Sequence, residues 1–260
     1  MSADGVIVFR RRGIAIAEAY FEPEGADAPS LGRVDLLRIV GAFAPPSERG
    51  SRQLHTLVID LGADEDTLLE QMSKDTRYKI RRAMQKDPVR AGVAGESSGE
   101  AVDAFADFYD RFAAAQSVAP AFRPRLHALA GHGNLVITAA TGEDGAALVQ
   151  HAYVAAHRRS YMLYSASVLA ESADGDMRNL VGRANRYLHW HDIRMFKERG
   201  FALYDFGGLD VTGRSEKTTN IARFKRGFGG QVRPVYSSTH SRSLRGAAVQ
   251  RILALRGVDF

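Results

Sequence analysis

The run Phe224-Lys225-Arg226-Gly227-Phe228-Gly229-Gly230 sets two cations beside three glycines. Glycine lets a backbone approach a ligand closely, and a neighbouring lysine or arginine can neutralise a phosphate or a developing oxyanion. Lys225 is the leading candidate for that role, with Arg226 behind it. Glycines also end helices, which would account for Gly229 and Gly230 but not for the Lys-Arg pair. Upstream, Tyr204 and Asp205 close a short apolar run before Gly207 and Gly208. A carboxylate there could orient an acceptor amine or take its proton; equally, Asp205 could cap the turn while Tyr204 packs in the core. Where the nucleophile is already a good one, a dedicated base is optional.

A second constellation is cationic. Residues 74–90 hold seven basic side chains. If this stretch is helical, Lys74, Tyr78, Arg82 and Lys86 share one face at i, i+4 spacing, Arg77 and Arg81 flank it, and Ile80, Ala83 and Met84 supply the apolar side. Arg77, Lys79, Arg81 and Arg82 are then candidates for holding a polyanion such as a tRNA stem, with an affinity that falls steeply with salt. The plain alternative is a solvated helix face. Three other patterns are set aside. Gly95-Glu96-Ser97-Ser98-Gly99 fits G-x-S-x-G but lacks the surrounding hydrolase elements, and residues 208–215 resemble a P-loop with Arg214 in place of its lysine. His189 and His191 point apart on a helix, so no metal site is expected.

Periodicity indicates the elements that must position these groups. Apolar runs at 6–9, 14–20, 36–43 and 54–61 read as strands, broken by Pro/Gly/Ser-rich loops at 22–32 and 44–50. Asp64, Glu65 and Asp66 suit the positive end of a helix, and the segment to Lys86 ends on basic residues before Pro88, which predicts a helix pair. A strand near 89–93 and an amphipathic helix over 100–116, with Ala101, Phe105, Phe108 and Phe112 on one face, follow. Periodicity lapses over 117–125, which divides the chain into halves 1–116 and 117–260. The second half predicts strands at 134–140, 146–156 and 160–167, a long helix carrying Leu180, Ala184, Tyr187, Leu188, His191 and Met195, and a strand at 203–206. A helix over 218–228, a strand at 231–236 and a closing helix at 243–255 complete it. This order predicts an α/β fold of mixed α+β type, a mixed sheet with helices on its faces.

The 260 residues, 45% hydrophobic and 25% charged, are enough for one large core or two small ones. No run approaches the roughly 18–20 apolar residues that cross a bilayer, and the expected location is the cytoplasm. Absence of cysteine removes disulfides, thiolate nucleophiles and cysteine-bound zinc. The net charge of +5 is clustered at 10–12, 74–90 and 223–233, an arrangement suited to a polyanionic substrate.

Three segments resemble the Fem-like aminoacyltransferases, the branch of the N-acetyltransferase (GNAT) superfamily that adds amino acids to peptidoglycan precursors. They are Asp75 to Ala83 after Ile59-Asp60-Leu61; Leu188-His189-Trp190 leading through Lys197-Glu198-Arg199-Gly200 to Tyr204-Asp205-Phe206-Gly207-Gly208; and Phe224 to Gly230 before a strand. The resemblance implies a GNAT-like fold with a shortened first half and a more complete second one. It also implies an amide-forming acyltransferase in which Lys225 faces the acyl donor, and His189, Trp190 and Phe224 lie toward the acceptor. The donor it implies is aminoacyl-tRNA, the acceptor the amine of a small molecule or a cell-wall precursor, with no tightly bound cofactor. Acyl-CoA users of the superfamily cradle pyrophosphate on a Gln/Arg-x-x-Gly-x-Gly/Ala turn at a helix start. The nearest match is Asn179 to Ala184, with Asn179 in the first position and Gly182 in the fourth. This keeps acyl-CoA open as donor, while a helix start capped by Asn179 or Asp176 explains the same residues. A non-catalytic RNA-binding module on the same fold is the reading from another class.

Overall fold

The alternating and continuous apolar runs of the chain become strands of one mixed sheet. The structure, a computed structural model, describes residues 5–21, 33–45, 51–96, 98–168, 175–213 and 215–256. The loop expected at 22–32, most of that at 44–50, Ser97 and Arg214 lie outside the described residues. The first half supplies β1 (Val6–Arg11), β2 (Ile14–Tyr20), β3 (Leu36–Ala42), β4 (Arg52–Asp60), α1 (Glu65–Gln71), α2 (Lys74–Gln85), β5 (Arg90–Glu96) and α3 (Gly99–Gln116). The second supplies α4 (Arg123–Gly131), β6 (Leu135–Thr141), β7 (Ala147–Ala156), β8 (Arg159–Ser167), α5 (Gly175–Glu198), β9 (Leu203–Gly208), α6 (Glu216–Arg226), β10 (Gln231–Ser241) and α7 (Leu244–Arg256). Among the described residues the sheet order is β1-β2-β3-β10-β4-β9-β8-β7-β6-β5. The last strand of the second half is thus inserted between two strands of the first. Among the described residues no helix is long and apolar enough to cross a membrane.

Local chemistry sets the helix ends. Asp64 accepts from Thr67 N and caps α1, and Ser73 accepts from Thr76 N and caps α2. The segment read as a linker at 117–125 contains the start of α4, with Pro124 in its first turn. Proline is tolerated there because the N–H it lacks would have no partner within the helix. The three glycines before β10 make a close approach to protein rather than leaving space for a ligand. Gly230 has φ +81°, and a Cβ on it would lie 2.4 Å from the Val58 carbonyl oxygen.

Strand parity assigns side chains to the two faces. Val136, Tyr153, Met162, Tyr204 and Phe206 pack with Trp190, Ile193 and Phe196 of α5. Leu135, Ile137, Ala152 and Val154 pack on the opposite face with Val102 and Phe105 of α3 and Leu126 and Leu129 of α4. Successive strand residues point to opposite faces, so each half-period feeds a different core.

Candidate active site

The sheet opens between β8 and β9. Strands β8 and β9 are parallel and pair only at Arg159↔Leu203, Ser160↔Tyr204 and Tyr161↔Asp205. Beyond these pairs β8 stays bonded to β7 as far as Ser167, and β9 stays bonded to β4 as far as Gly208, so the two strands part. Gly207 stands at this point: its φ is +69°, and a Cβ would lie 2.7 Å from the Met162 carbonyl oxygen, so β9 turns past β8 here at a distance that only glycine allows. A cavity of about 880 Å³ fills the gap, walled by Tyr161, Met162, Phe206, His189, Phe224 and Lys225. That volume is in the range of small-ligand sites.

Lys225, on the last turn of α6, reaches the end of β9. Its Nζ donates to the carbonyl oxygens of Phe206 at 2.8 Å and Gly208 at 2.7 Å, and lies 3.4 Å from that of Gly207. Burial lowers its pKa to about 8 from the ordinary 10.5, against the opposing pull of Asp205. At neutral pH the group is still mostly an ammonium, held on the cavity wall by the three carbonyl oxygens. Phe224, one residue earlier, lies 5.4 Å from the His189 ring and under the Arg186 guanidinium. Arg226 is exposed and points away from the lining.

Tyr204 and Asp205 are neighbours on β9 and so face opposite sides of the sheet. The Tyr204 hydroxyl lies toward α5, 2.7 Å from His189 Nδ1 and 2.6 Å from the Tyr153 hydroxyl. Asp205 lies on the other side, fully buried. It accepts from both Arg159 Nε, at 2.9 Å, and Arg159 Nη2, from Thr56 Oγ1, and from the Gly207 amide at 2.7 Å. Arg159 also donates to the Gly41 carbonyl and is sandwiched by Phe21 and Phe43, 4.4 and 4.0 Å from their ring centres. This geometry gives the Asp205 carboxylate a full set of donors away from the cavity. Trp190, beside His189 in sequence, is buried in the core.

The cationic helix is amphipathic, with Thr76, Ile80 and Ala83 buried, but Met84, expected on the apolar side, is exposed. Arg77 turns inward and caps the carbonyl ends of α1, donating to Leu69 O at 3.2 Å, Glu70 O at 2.9 Å and Met72 O at 2.9 Å. Lys79 pairs with Asp75, and Arg82 donates to the Tyr78 hydroxyl. Arg81, Arg82, Lys74, Lys86 and the ring of Tyr78 are exposed. The start of α2 is tied to the end of α6 by Ser73 N donating to Gly227 O at 2.9 Å, which places the helix beside the cavity's helical wall. Asn179 and Gly182 fall inside α5, which begins at Gly175. Only the first four amides of a helix are free of intrahelical bonds, so the amides of 179–184 are committed to the helix and form no phosphate turn.

Two groups of residues were not singled out in the sequence. One is a buried polar chain on α5, β6 and β7, in which Asp192 Oδ2 accepts from Tyr153, His151 and Thr138. The other is a second cavity of about 480 Å³ that shares Tyr161 and Leu163 with the first and is lined by Arg38, Arg52 and Arg125. Arg38 pairs with the buried Glu18 at 2.5 Å. Arg125 lies 3.8 Å from Glu18 and donates to Tyr164 at 2.9 Å, and its buried Nε has no hydrogen-bond partner among the described residues. The arginines come from β3, the start of β4 and α4, which no spacing in the sequence connects. Among the described residues no three His, Asp or Glu side chains are placed to hold a metal ion.

Comparison with known proteins follows the same lines. Residues 70–226 match the family described as acetyltransferase (GNAT) domain. The structure of FemX is similar, with a TM-score of 0.61 at 13% identity over 95% of this chain and 86% of that one. L-PGS from Bacillus licheniformis is similar with a TM-score of 0.53 at 14% identity, over 97% of this chain and 85% of that one. No curated protein sequence matches the chain.

Proposed function

The chain belongs to the acetyltransferase (GNAT) domain family and is an acyltransferase, and from that premise we propose that it transfers an aminoacyl group from aminoacyl-tRNA to an amine that also carries an anion. The observation that carries the donor assignment is the exposed cationic face of α2, held against the helical wall of the cavity between the splayed strands. Lys74, Arg81, Arg82 and Lys86 would neutralise phosphates, and the exposed ring of Tyr78 would offer a surface for a base. The similarity in fold to FemX and L-PGS agrees with this reading.

In this reading the 3′ end of the donor enters the cavity and places its ester carbonyl beside Lys225. The ammonium stabilises the oxyanion of the tetrahedral intermediate from a position that burial and three carbonyl oxygens hold in place. The acceptor's anion sits on Arg38 and Arg125 in the second cavity, and its amine reaches past Tyr161 to the carbonyl. Much of the acceleration then comes from holding the two reactants together. An acyl-CoA donor is the second reading, favoured by the family itself, but the committed amides of 179–184 give its pyrophosphate no seat at that position.

The test is binding of aminoacylated against deacylated tRNA at near-physiological salt, with excess acetyl-CoA as competitor. Preference for the charged form, unmoved by acetyl-CoA, is the expected result. Equal binding of both forms, or displacement by acetyl-CoA, would remove tRNA as donor. Arg81→Ala and Lys86→Ala should each weaken tRNA binding without regard to sequence and reduce the slope of log K against log salt by about 1.

A further inference from the structure

The polar chain under α5 ends at the cavity. Asp192 is fully buried; burial alone would raise its pKa, but hydrogen bonds from His151, His191 and Tyr153 outweigh that and hold it below the ordinary carboxylate value. As an anion it can only accept, so the Tyr153 hydroxyl, 2.7 Å away, spends its proton on Asp192 Oδ2. The 2.6 Å contact between Tyr153 and Tyr204 must then be filled by the Tyr204 proton. Tyr204 has none left for His189, so its oxygen accepts, and the proton in the 2.7 Å contact belongs to His189 Nδ1. A neutral imidazole protonated at Nδ1 has a bare Nε2. His189 is on the cavity wall, and its Nε2 makes no hydrogen bond among the described residues.

Resting on the acyl-transfer reading, we propose that His189 is the general base of the reaction through Nε2, and that Tyr204, Tyr153 and Asp192 are positioning residues that fix its tautomer. The acceptor's neutral amine attacks the acyl carbon; the C–N bond forms and the carbonyl pair moves onto oxygen beside Lys225. Nε2 takes a proton from the now cationic nitrogen. As the intermediate collapses, the ester C–O bond breaks with its electron pair on the leaving oxygen, and the imidazolium returns the proton to that oxygen. The histidine ends as it began. Around the ring stand His151 on β7, Tyr204 and Phe206 on β9, Phe224 and Lys225 on α6, Phe228 beyond it, and Arg186 on its own helix. Burial first, then the charges of His151, Lys225 and Arg186, depress its pKa well below 6.5, so the imidazole is neutral at neutral pH.

Nitrogen-15 NMR of histidine-labelled protein reads the tautomer with no substrate present. The expected result for His189 is a protonated Nδ1 and a bare Nε2; a proton on Nε2 would overturn the proposal. His189→Asn keeps an amide donor for Tyr204 but has no base, and kcat/KM should fall about 10²–10⁴-fold with the thermal transition retained. Tyr204→Phe should lower kcat about tenfold at unchanged KM and bring both tautomers into view, which a purely structural role for Tyr204 would not do. If the wild-type protein transfers acyl groups and His189→Asn does so equally well, the base assignment alone fails. If the wild type transfers none from charged tRNA or acetyl-CoA, the assignment falls with the reading it rests on.

Discussion

Lys225→Met should reduce kcat by about 10²–10³-fold with little change in KM, the cost of removing one preorganised oxyanion partner. Methionine keeps most of the side chain's length while deleting the charge and the hydrogen bonds to the β9 carbonyls. A single-turnover assay with charged tRNA separates this loss from a loss of binding. A protein that only binds RNA would show instead a mild, salt-sensitive drop in affinity. The substitution has a second signature in stability. The folded pKa of about 8 lies below the ordinary 10.5, so between these values the unfolded chain holds more protons and stability rises with pH. In Lys225→Met that rise should be absent from denaturation midpoints measured across the same window.

Asp205→Ala should destabilise the protein by about 3–5 kcal/mol, the usual cost of stranding one member of a buried ion pair. Arg159, buried between Phe21 and Phe43, would lose the carboxylate that takes two of its nitrogens, and Thr56 and the Gly207 amide would lose their acceptor. Because Gly207 marks the point where β8 and β9 part, the cavity mouth should loosen as well. Urea denaturation measures the first effect. Adding Arg159→Met should recover part of the loss, since two matched apolar groups leave no orphan charge. Asp205→Asn with unchanged stability and abolished turnover would instead return the carboxylate to the chemistry.

Much of the architecture was already determined by local sequence. Helix pairs, strands and their order followed from apolar periodicity, because an element with one buried face must repeat its apolar residues with its own geometric period. The capping residues Asp64 and Ser73 sit where the acidic and hydroxyl side chains start α1 and α2. Lys225 was visible because a cation between glycines and aromatics is an unusual local composition. Helix α4 was hidden by Pro124, whose place in a first turn looks in sequence like a break.

The assembly of the site was decided only by tertiary structure. The insertion of β10 between β3 and β4 brings Arg38 and Arg52, which have no common spacing, to one cavity, and the packing of α4 against the sheet adds Arg125. Tyr204 and Asp205 look equivalent in sequence, yet the parity of β9 sends one toward His189 and the other toward Arg159. The chain from Asp192 through Tyr153 and Tyr204 to His189 crosses β7, α5 and β9, and each link is a single hydrogen bond between residues on different elements. Periodicity reports which side of an element is buried. It does not report what lies across the interface, because a hydrogen bond of under 3 Å depends on how whole elements pack, and the sequence constrains that packing only through their sum.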